Sequence, residues 1–425
     1  MSSKKSAYCP RVADILLADS LRTSGATQIV GPKWCGKTTT AEQVAKEIIY
    51  FQDPDMRESY LQIAQEKPSV LLRGKKPLLL DEWQDAPSIW DAVRFAVDKE
   101  EATGSYILTG SSVPKETDKV KHSGTGRFSR IKMRPMSLYE SRESNGSIAL
   151  GDLFDQKDIS AKTDLALEDV AHALVRGGWP ASVVLNDNYA AQRVRDYVES
   201  IIESDISRVD GVDKNPKRVR LLMRSLARNE STPATMTTIR RDMAGTDEGL
   251  LSTNTIATYL NALRKLYVID ETEAWAQAVR SKTALRTSPV RRYCDPSIPA
   301  ALLRLSPDKL LADFNTFGLL FETLCVRDLA IYAEAIDGSV GFYRDSRGLE
   351  CDAIVELADG RWGAIEIKLM QSRAEEAAAT LTKIRQEVRS SHGGEPTFLA
   401  ILTTGSIGYC RSDGIYVIPI GCLKH

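Results

Sequence analysis

Over the first 110 residues, short unbroken apolar runs alternate with stretches of helical periodicity. ATQIV (26–30), PLLL (77–80) and SYILT (105–109) predict strands, and a helix is expected from about Thr38 to Phe51. Apolar strands separated by helices imply a parallel sheet covered on both faces. Between about 150 and 210 the pattern turns helical: VAHALVRGG ends on glycines, and YVESIIESDISRV repeats apolar residues at helical spacing. Three further helical stretches lie between 217 and 270, namely RVRLLMRSLARNE, MTTIRRDMA and TNTIATYLNALRKLYVI, the last capped by Ser252 or Thr253. EAWAQA then reads as a strand. From about 313 a long helix, FNTFGLLFETLCVRDLAIYAEA, leads into strands GSVGFYRD, ECDAIVELADG, RWGAIEIKL and TFLAILTT, with D-S-R-G and A-D-G as hairpin breakers. The expectation is an α/β chain in four segments, 1–150, 151–210, 211–310 and 311–425.

Composition narrows the classes. Fifty-six Lys and Arg against 57 Asp and Glu leave a net charge of −1, so no global field draws the chain to nucleic acid, and any such surface is a local patch. Two patches stand out. The segment from Lys115 to Arg134 carries seven basic and two acidic residues, and 214–241 carries eight basic residues against Glu230 alone. Seven scattered cysteines without a C-x-x-C pair, and only four His, exclude a zinc ribbon or a thioredoxin-type site. The first residues, MSSKKSAYCPRVAD, hold no apolar signal core, and no run nears the roughly 18 apolar residues of a membrane span. A cytoplasmic protein without membrane contact is expected.

Chemistry enters at Gly31-Pro32-Lys33-Trp34-Cys35-Gly36-Lys37-Thr38, which fits G-x-x-x-x-G-K-[ST] between a strand and a helix. Backbone N–H groups of such a loop, with the following helix N-terminus, cradle phosphate oxygens. Lys37 is expected on the β- and γ-phosphates, Thr38 on Mg²⁺, and Thr39 beside them at the nucleotide. The strand Leu78-Leu79-Leu80 ends in Asp81 and Glu82, the form of a Walker B segment. Asp81 is the expected partner of Mg²⁺, and Glu82 the group that polarises the attacking water. The next strand ends in Thr109, Gly110, Ser111 and Ser112, where a polar side chain can meet the γ-phosphate or that water.

This order of motifs, with GPKWCGKTT, LLLDEWQ, YILTGSS and GRFSRIKMRPMSLYE, resembles AAA+ ATPases. It looks like the prokaryotic branch that carries a C-terminal domain of uncharacterised function, and the likeness runs on through Gly177-Gly178-Trp179-Pro180 and Ser204-Asp205-Ile206. The resemblance implies an ATP-binding AAA+ core, a helical lid or linker over 151–210, and assembly into a homo-oligomer. It also implies that Arg127 senses the γ-phosphate, in its own or a neighbouring subunit; the charge around it equally suits nucleic-acid phosphates. Segment 211–310, three helices and a strand-like tail, resembles a winged helix, a module that docks on DNA or serves as a protein contact. Ile256, Leu260, Leu263 and Leu266 on its last helix form a core-packing stripe.

In the last segment, Asp352 lies on one strand of a hairpin and Glu366 and Lys368 on the other. Strand residues two apart share a face, so Glu366 and Lys368 point together. Asp–x₁₃–Glu–x–Lys resembles the PD-(D/E)XK nuclease motif, and Glu322 matches the acid many of these enzymes place on the preceding helix. Here Cys351 precedes the leading acid, where the motif has Pro. The resemblance implies a restriction-endonuclease-like α/β domain in which Glu322, Asp352 and Glu366 ligate Mg²⁺ or Mn²⁺ and Lys368 serves the attacking water. The E-x-K pair equally occurs as a solvated strand edge. The sequence reading is thus an Mg-ATP-dependent AAA+ ATPase whose C-terminal domain binds or cleaves nucleic acid, most readily DNA. The alternative is an ATP-dependent assembly switch whose C-terminal domain binds without catalysis. A small-molecule kinase fits less well, because over 200 residues follow the ATPase core.

Overall fold

The computed structural model describes residues 8–111, 125–243, 252–275, 288–390 and 394–425. Two compact units emerge. The first gathers the chain up to Pro135 with Ile201–Asn215 and Thr258–Val268; the second gathers Met136–Ser200, Pro216–Ala257 and Ile269–His425. Segment 151–210, read as one lid or linker, is divided between the units, as is the helix Thr253–Lys265.

In the first unit, β1 (Ala26–Val30), β2 (Glu47–Tyr50), β3 (Leu78–Asp81), β4 (Tyr106–Gly110) and β5 (Phe128–Lys132) form a parallel sheet in the order β2-β3-β4-β1-β5. Every residue of β3 and β4 is buried, which is why both read as unbroken apolar runs. Leu78, Leu79 and Leu80 are wholly enclosed, a burial worth about 1.5–3 kcal/mol each. On one face Trp90, from the helix Ser88–Glu100, stacks on Phe128 at 4.0 Å between ring centroids. The expected helix from Thr38 to Phe51 is corrected: it stops at Glu42, and Glu47–Tyr50 is β2. Ile48, Ile49 and Tyr50 favour extended backbone, and pairing with β3 settles the competition.

The second unit carries β6 (Ile148–Ala149), β7 (Ser160–Lys162), β8 (Ile269–Thr272), β9 (Val290–Tyr293), β10 (Gly338–Arg344), β11 (Glu350–Leu357), β12 (Trp362–Ile367), β13 (Phe398–Thr403), β14 (Ile407–Cys410), β15 (Tyr416–Pro419) and β16 (Leu423–Lys424). Seven of these form a mixed sheet in the order β10-β11-β12-β13-β15-β14-β7. β10, β11 and β12 are an antiparallel meander, β12, β13 and β15 run parallel, and β7 closes the far edge antiparallel to β14. The helix Ala374–Ser390 lies on one face, where Ala377, Leu381 and Ile384 join Ile354, Ala364 and Leu399 in a core. The helix Phe314–Glu334 packs on β10 and β11. The helices Pro216–Arg228, Met236–Met243 and Thr253–Lys265 precede a two-stranded antiparallel ribbon of β8 and β9. The strand read at EAWAQA falls one step earlier, at β8; Ala274 makes only an isolated bridge to Phe342, and 276–278 lie outside the described residues. The stripe Ile256, Leu260, Leu263 and Leu266 is buried.

A charged knot holds the early and late parts of the second unit together. Arg327 donates to Asp328 at 2.8 and 2.9 Å and to Asp295 at 2.7 Å, and all three side chains are buried. Backbone donors complete the set: Leu138 N–H on the other oxygen of Asp328 at 2.9 Å, and Gly178 N–H on the Asp295 oxygen that Arg327 also meets, at 3.0 Å. A Cβ at Gly178 would stand 2.2 Å from the Met136 carbonyl oxygen, which accounts for a glycine there. Trp179 completes the seam by donating to Ser297 at 3.0 Å. Arg327→Ala leaves two buried carboxylates without their cation and is expected to cost about 3–5 kcal/mol in denaturant unfolding. A loss below about 1 kcal/mol would contradict this role for the knot.

Candidate functional site

The parallel register of the first sheet decides where its chemistry collects. Val30 pairs with Gly110 and Asp81 with Thr109, so the loop after β1 and the ends of β3 and β4 meet at one sheet edge. Gly36 enters the helix Lys37–Glu42 at φ +103°, a turn only glycine makes without strain. The buried Lys37 ammonium curls back to donate to the carbonyls of Gly31 (3.1 Å) and Pro32 (2.8 Å) inside the loop. A lysine satisfied only by neutral carbonyls is set to exchange them for phosphate oxygens. Cys35 is buried, Trp34 is exposed, and Lys33 pairs with Asp205 at 2.7 Å.

Asp81 is the centre of this edge. Thr38 donates to its Oδ1 at 2.7 Å and Thr109 to the same oxygen at 2.5 Å. Burial raises the Asp81 carboxyl above the usual carboxylate range, against the pull of the two hydroxyls. A hydroxyl and a carboxylate in contact, with Oδ2 uncommitted, fit the oxygen ligands Mg²⁺ takes. Glu82 follows at φ +53°, a left-handed conformation uncommon outside glycine, and its Oε2 accepts from Ser111 at 3.0 Å and from Gln84. Thr109 on β4 and Ser111 just past its end thus secure the two acids in turn. Beside them opens a cavity of about 620 Å³ bounded by Lys33, Glu82, Ser111, Asp205 and Arg208. Ser112 lies outside the described residues.

Arg127 is not at this edge. Its carbonyl accepts from the N–H of Ala26, the first residue of β1, and its guanidinium pairs with Asp98 at 2.7 Å. The phosphate loop follows the other end of β1, about 16 Å away. A role on the nucleotide of its own chain is thereby corrected. The basic run 115–124 lies outside the described residues.

In the second unit the four residues singled out at the C-terminal end come together. The register Ala353 to Ile365 sets Asp352 and Glu366 on neighbouring strands. Asp352 Oδ2 accepts from the Ile367 N–H at 2.7 Å, and the Lys368 ammonium stands 2.7 Å from Glu366 and 3.5 Å from Asp352. Glu322 comes from the long helix and feels the charges of both Asp352 and Lys368. The sequence offered no sign of the fifth member. Arg292 of β9 is buried, donates to Ser231 (3.1 Å) and Thr272 (3.0 Å), and pairs with Glu322. Glu230, also unforeseen, is buried nearby, accepting from the Tyr293 N–H at 2.8 Å and Thr323 at 2.9 Å.

The carboxylates of this cluster are thus already neutralised, Glu366 by Lys368 and Glu322 by Arg292. Among the described residues no three Asp, Glu, His or Cys side chains are disposed to hold a metal ion. Arg292 takes one oxygen of Glu322, and Lys368 one oxygen each of Asp352 and Glu366, so the expected ligand set Glu322, Asp352 and Glu366 meets a cation only with its remaining oxygens or as these pairs open.

Burial, and then the Asp352 charge, push Glu366 up to about 8 and Glu322 up to about 7. Both carboxyls keep a proton to higher pH in the folded chain than in an unfolded one. The folded state therefore binds more protons, and stability falls as pH rises from the ordinary value of 4.5 toward 8. In EDTA, the unfolding midpoint of the wild type is expected to decline across that window, and Glu366→Gln to remove part of the decline. An unchanged slope in the variant would contradict the assignment.

Comparison with known proteins divides the chain in three. A family model described as an AAA domain matches residues 23–141, and two described as domains of unknown function match 167–309 (DUF8612) and 317–423 (DUF4143). Uncharacterised proteins of Mycobacterium bovis and Mycobacterium tuberculosis are 23% identical over 416 residues, 96% of this chain and 83% of each relative. Among solved structures, a Walker-type ATPase of Pyrococcus abyssi aligns at 16% identity and TM-score 0.44, over 71% of this chain and 98% of that one. The Orc1 protein of Aeropyrum pernix, solved in complex with DNA, aligns at 13% and TM-score 0.28, over 72% and 95%. Among the described residues no helix is long and apolar enough to cross a membrane. With the matched segment, the phosphate loop and the paired acids in one parallel sheet, the N-terminal part of this chain is an AAA-type P-loop ATPase domain.

Proposed function

We propose that this ATPase acts on nucleic acid, DNA in the first instance, through its second unit, whose cluster at Asp352, Glu366 and Lys368 is a nuclease-type centre. The observation that carries the reading is the convergence of two carboxylates and a lysine from adjacent strands with Glu322 from the flanking helix. Lys368 is the group that meets a phosphate oxygen there, since its ammonium already bridges the two acids. The ion pairs lend specific support to the second reading, an ATP-dependent switch whose cluster binds without cutting.

In the first unit Lys37 leaves the loop carbonyls for the nucleotide phosphates, and Glu82, fixed by Ser111 and Gln84, takes the proton of the attacking water. Thr38 and Asp81 would hold Mg²⁺, which would supply charge neutralisation on those phosphates. Arg127, remote from its own phosphate loop, is read as serving a neighbouring copy in a homo-oligomer.

The test is cleavage of labelled DNA and RNA panels with Mg²⁺ or Mn²⁺, with and without ATP, for wild type, Lys368→Ala and Lys37→Ala. Loss of cutting by about 10²-fold or more in Lys368→Ala is expected, with ATP turnover retained in that variant and lost in Lys37→Ala. Absence of cutting on every substrate overturns the nuclease reading in favour of the switch.

A further inference from the structure

Apart from the cluster at Asp352, Glu366 and Lys368, the second unit contains a concentration of positive charge that three separate segments build. A concavity of about 420 Å³ is walled by Arg195 and Glu199 of the helix Asp187–Ser200, by Arg220 and Arg224 of the helix Pro216–Arg228, and by Ala301–Arg304. Four guanidiniums thus face one carboxylate. Glu199 is spent on Arg220, which grips it bidentately at 2.6 Å through both nitrogens and holds its carboxyl below the usual range. Arg195 is oriented only by the neutral Gln192, at 2.8 and 3.1 Å. Among the described residues, Arg195, Arg224 and Arg304 meet no carboxylate within ion-pair distance.

The charge continues along one helix face. Lys217, Arg220, Arg224 and Arg228 recur every three or four residues, a line about 16 Å long on the exposed side of a helix whose other side is core. Val219, Leu222, Met223 and Leu226 form that buried side, so the helix axis and its row of cations are fixed by packing. Like charges held together on rigid elements, with Arg195, Arg224 and Arg304 outside ion-pair distance of a carboxylate, repel one another until an anion enters. Arginine, with its planar fork and weak hydration, is the side chain that suits phosphate oxygens there. A line of this length exceeds one phosphate and covers about four or five along a strand, whose charges advance about 3.4 Å each. That reach favours a polymer over a free phosphate.

We propose that this groove, with the cationic row leading from it, docks the sugar–phosphate backbone of a nucleic-acid strand. The inference rests on the reading that the second unit's partner is nucleic acid, and adds the place where the strand is held. Backbone contacts of this kind position a strand without reading its sequence.

The test is fluorescence anisotropy of a labelled 20-base DNA, single- and double-stranded, with the full-length chain over a series of NaCl concentrations. Two variants are compared with wild type, Arg224→Glu with Arg228→Glu, and Arg195→Gln with Arg304→Gln. Their ATP turnover without DNA, which involves none of these residues, reports intact folding. Affinity is expected to fall at least about tenfold in each, and the salt slope of log K by about two, since each neutralised phosphate contributes about 0.9. Unchanged affinity and slope in both variants, or no binding by the wild type at low salt, overturns the proposal. So does competition by inorganic tripolyphosphate as effective as unlabelled DNA at equal phosphate, which would mark a site for free oligophosphates. Wild-type binding that the groove variants lose, without any cleavage, overturns the nuclease reading alone. Cleavage with groove-variant affinity unchanged overturns the groove alone.

Discussion

The buried Asp81 carboxylate, gripped on one oxygen by Thr38 and Thr109, is the constraint on which the first unit is arranged. It ties the phosphate loop, the acidic strand end and the intervening strand into one edge, and this requires β4 to lie between β1 and β3. Were β3 beside β1, Thr109 could not reach between the loop and the acid. The uninterrupted apolar faces of β3 and β4 hold that order. A carboxylate enclosed at this depth stays charged only through its hydroxyl donors or a cation. The site is thus satisfied in part by the chain itself.

The second unit solves a different problem. Its sheet begins at β10 but ends at β7, a strand encoded nearly 180 residues earlier, and β16 at the chain end pairs with β6. The Arg327 knot fastens the same early segment to the long helix through backbone donors at Leu138 and Gly178. A piece beginning near 311 would lack its edge strand, the partners of its buried charges and Arg292. The cluster at Glu322, Asp352, Glu366 and Lys368 therefore belongs to the whole unit, not to its last hundred residues.

Much of this was legible because the relevant physics is local. The phosphate loop, the acids after three leucines and the Glu366–Lys368 pair are set by neighbours in sequence, and a period of two places the last pair on one face. Ser252 caps its helix as its position suggested, its hydroxyl oxygen accepting from the N–H of Thr255 at 3.1 Å. The failures are non-local. Glu47–Tyr50 becomes a strand because β3 pairs with it, and Ser160–Lys162, three residues long, has no pattern to read. Arg292 and Glu230 enter the second cluster from β9 and the turn after the helix Pro216–Arg228, which no spacing connects to Glu322. Arg127 follows its motif in sequence, yet the direction of β1 puts it at the far end of the sheet.

The measurement that bears most directly on the central claim is ATP binding and turnover by Asp81→Asn, with and without Mg²⁺. The amide keeps the shape and can still accept from Thr38 and Thr109, but it removes the charge. Nucleotide binding is expected to persist while Mg²⁺-dependent turnover falls by at least about 10²-fold. Turnover equal to wild type, with the same Mg²⁺ dependence, would contradict the account of Asp81 as the pivot of this site.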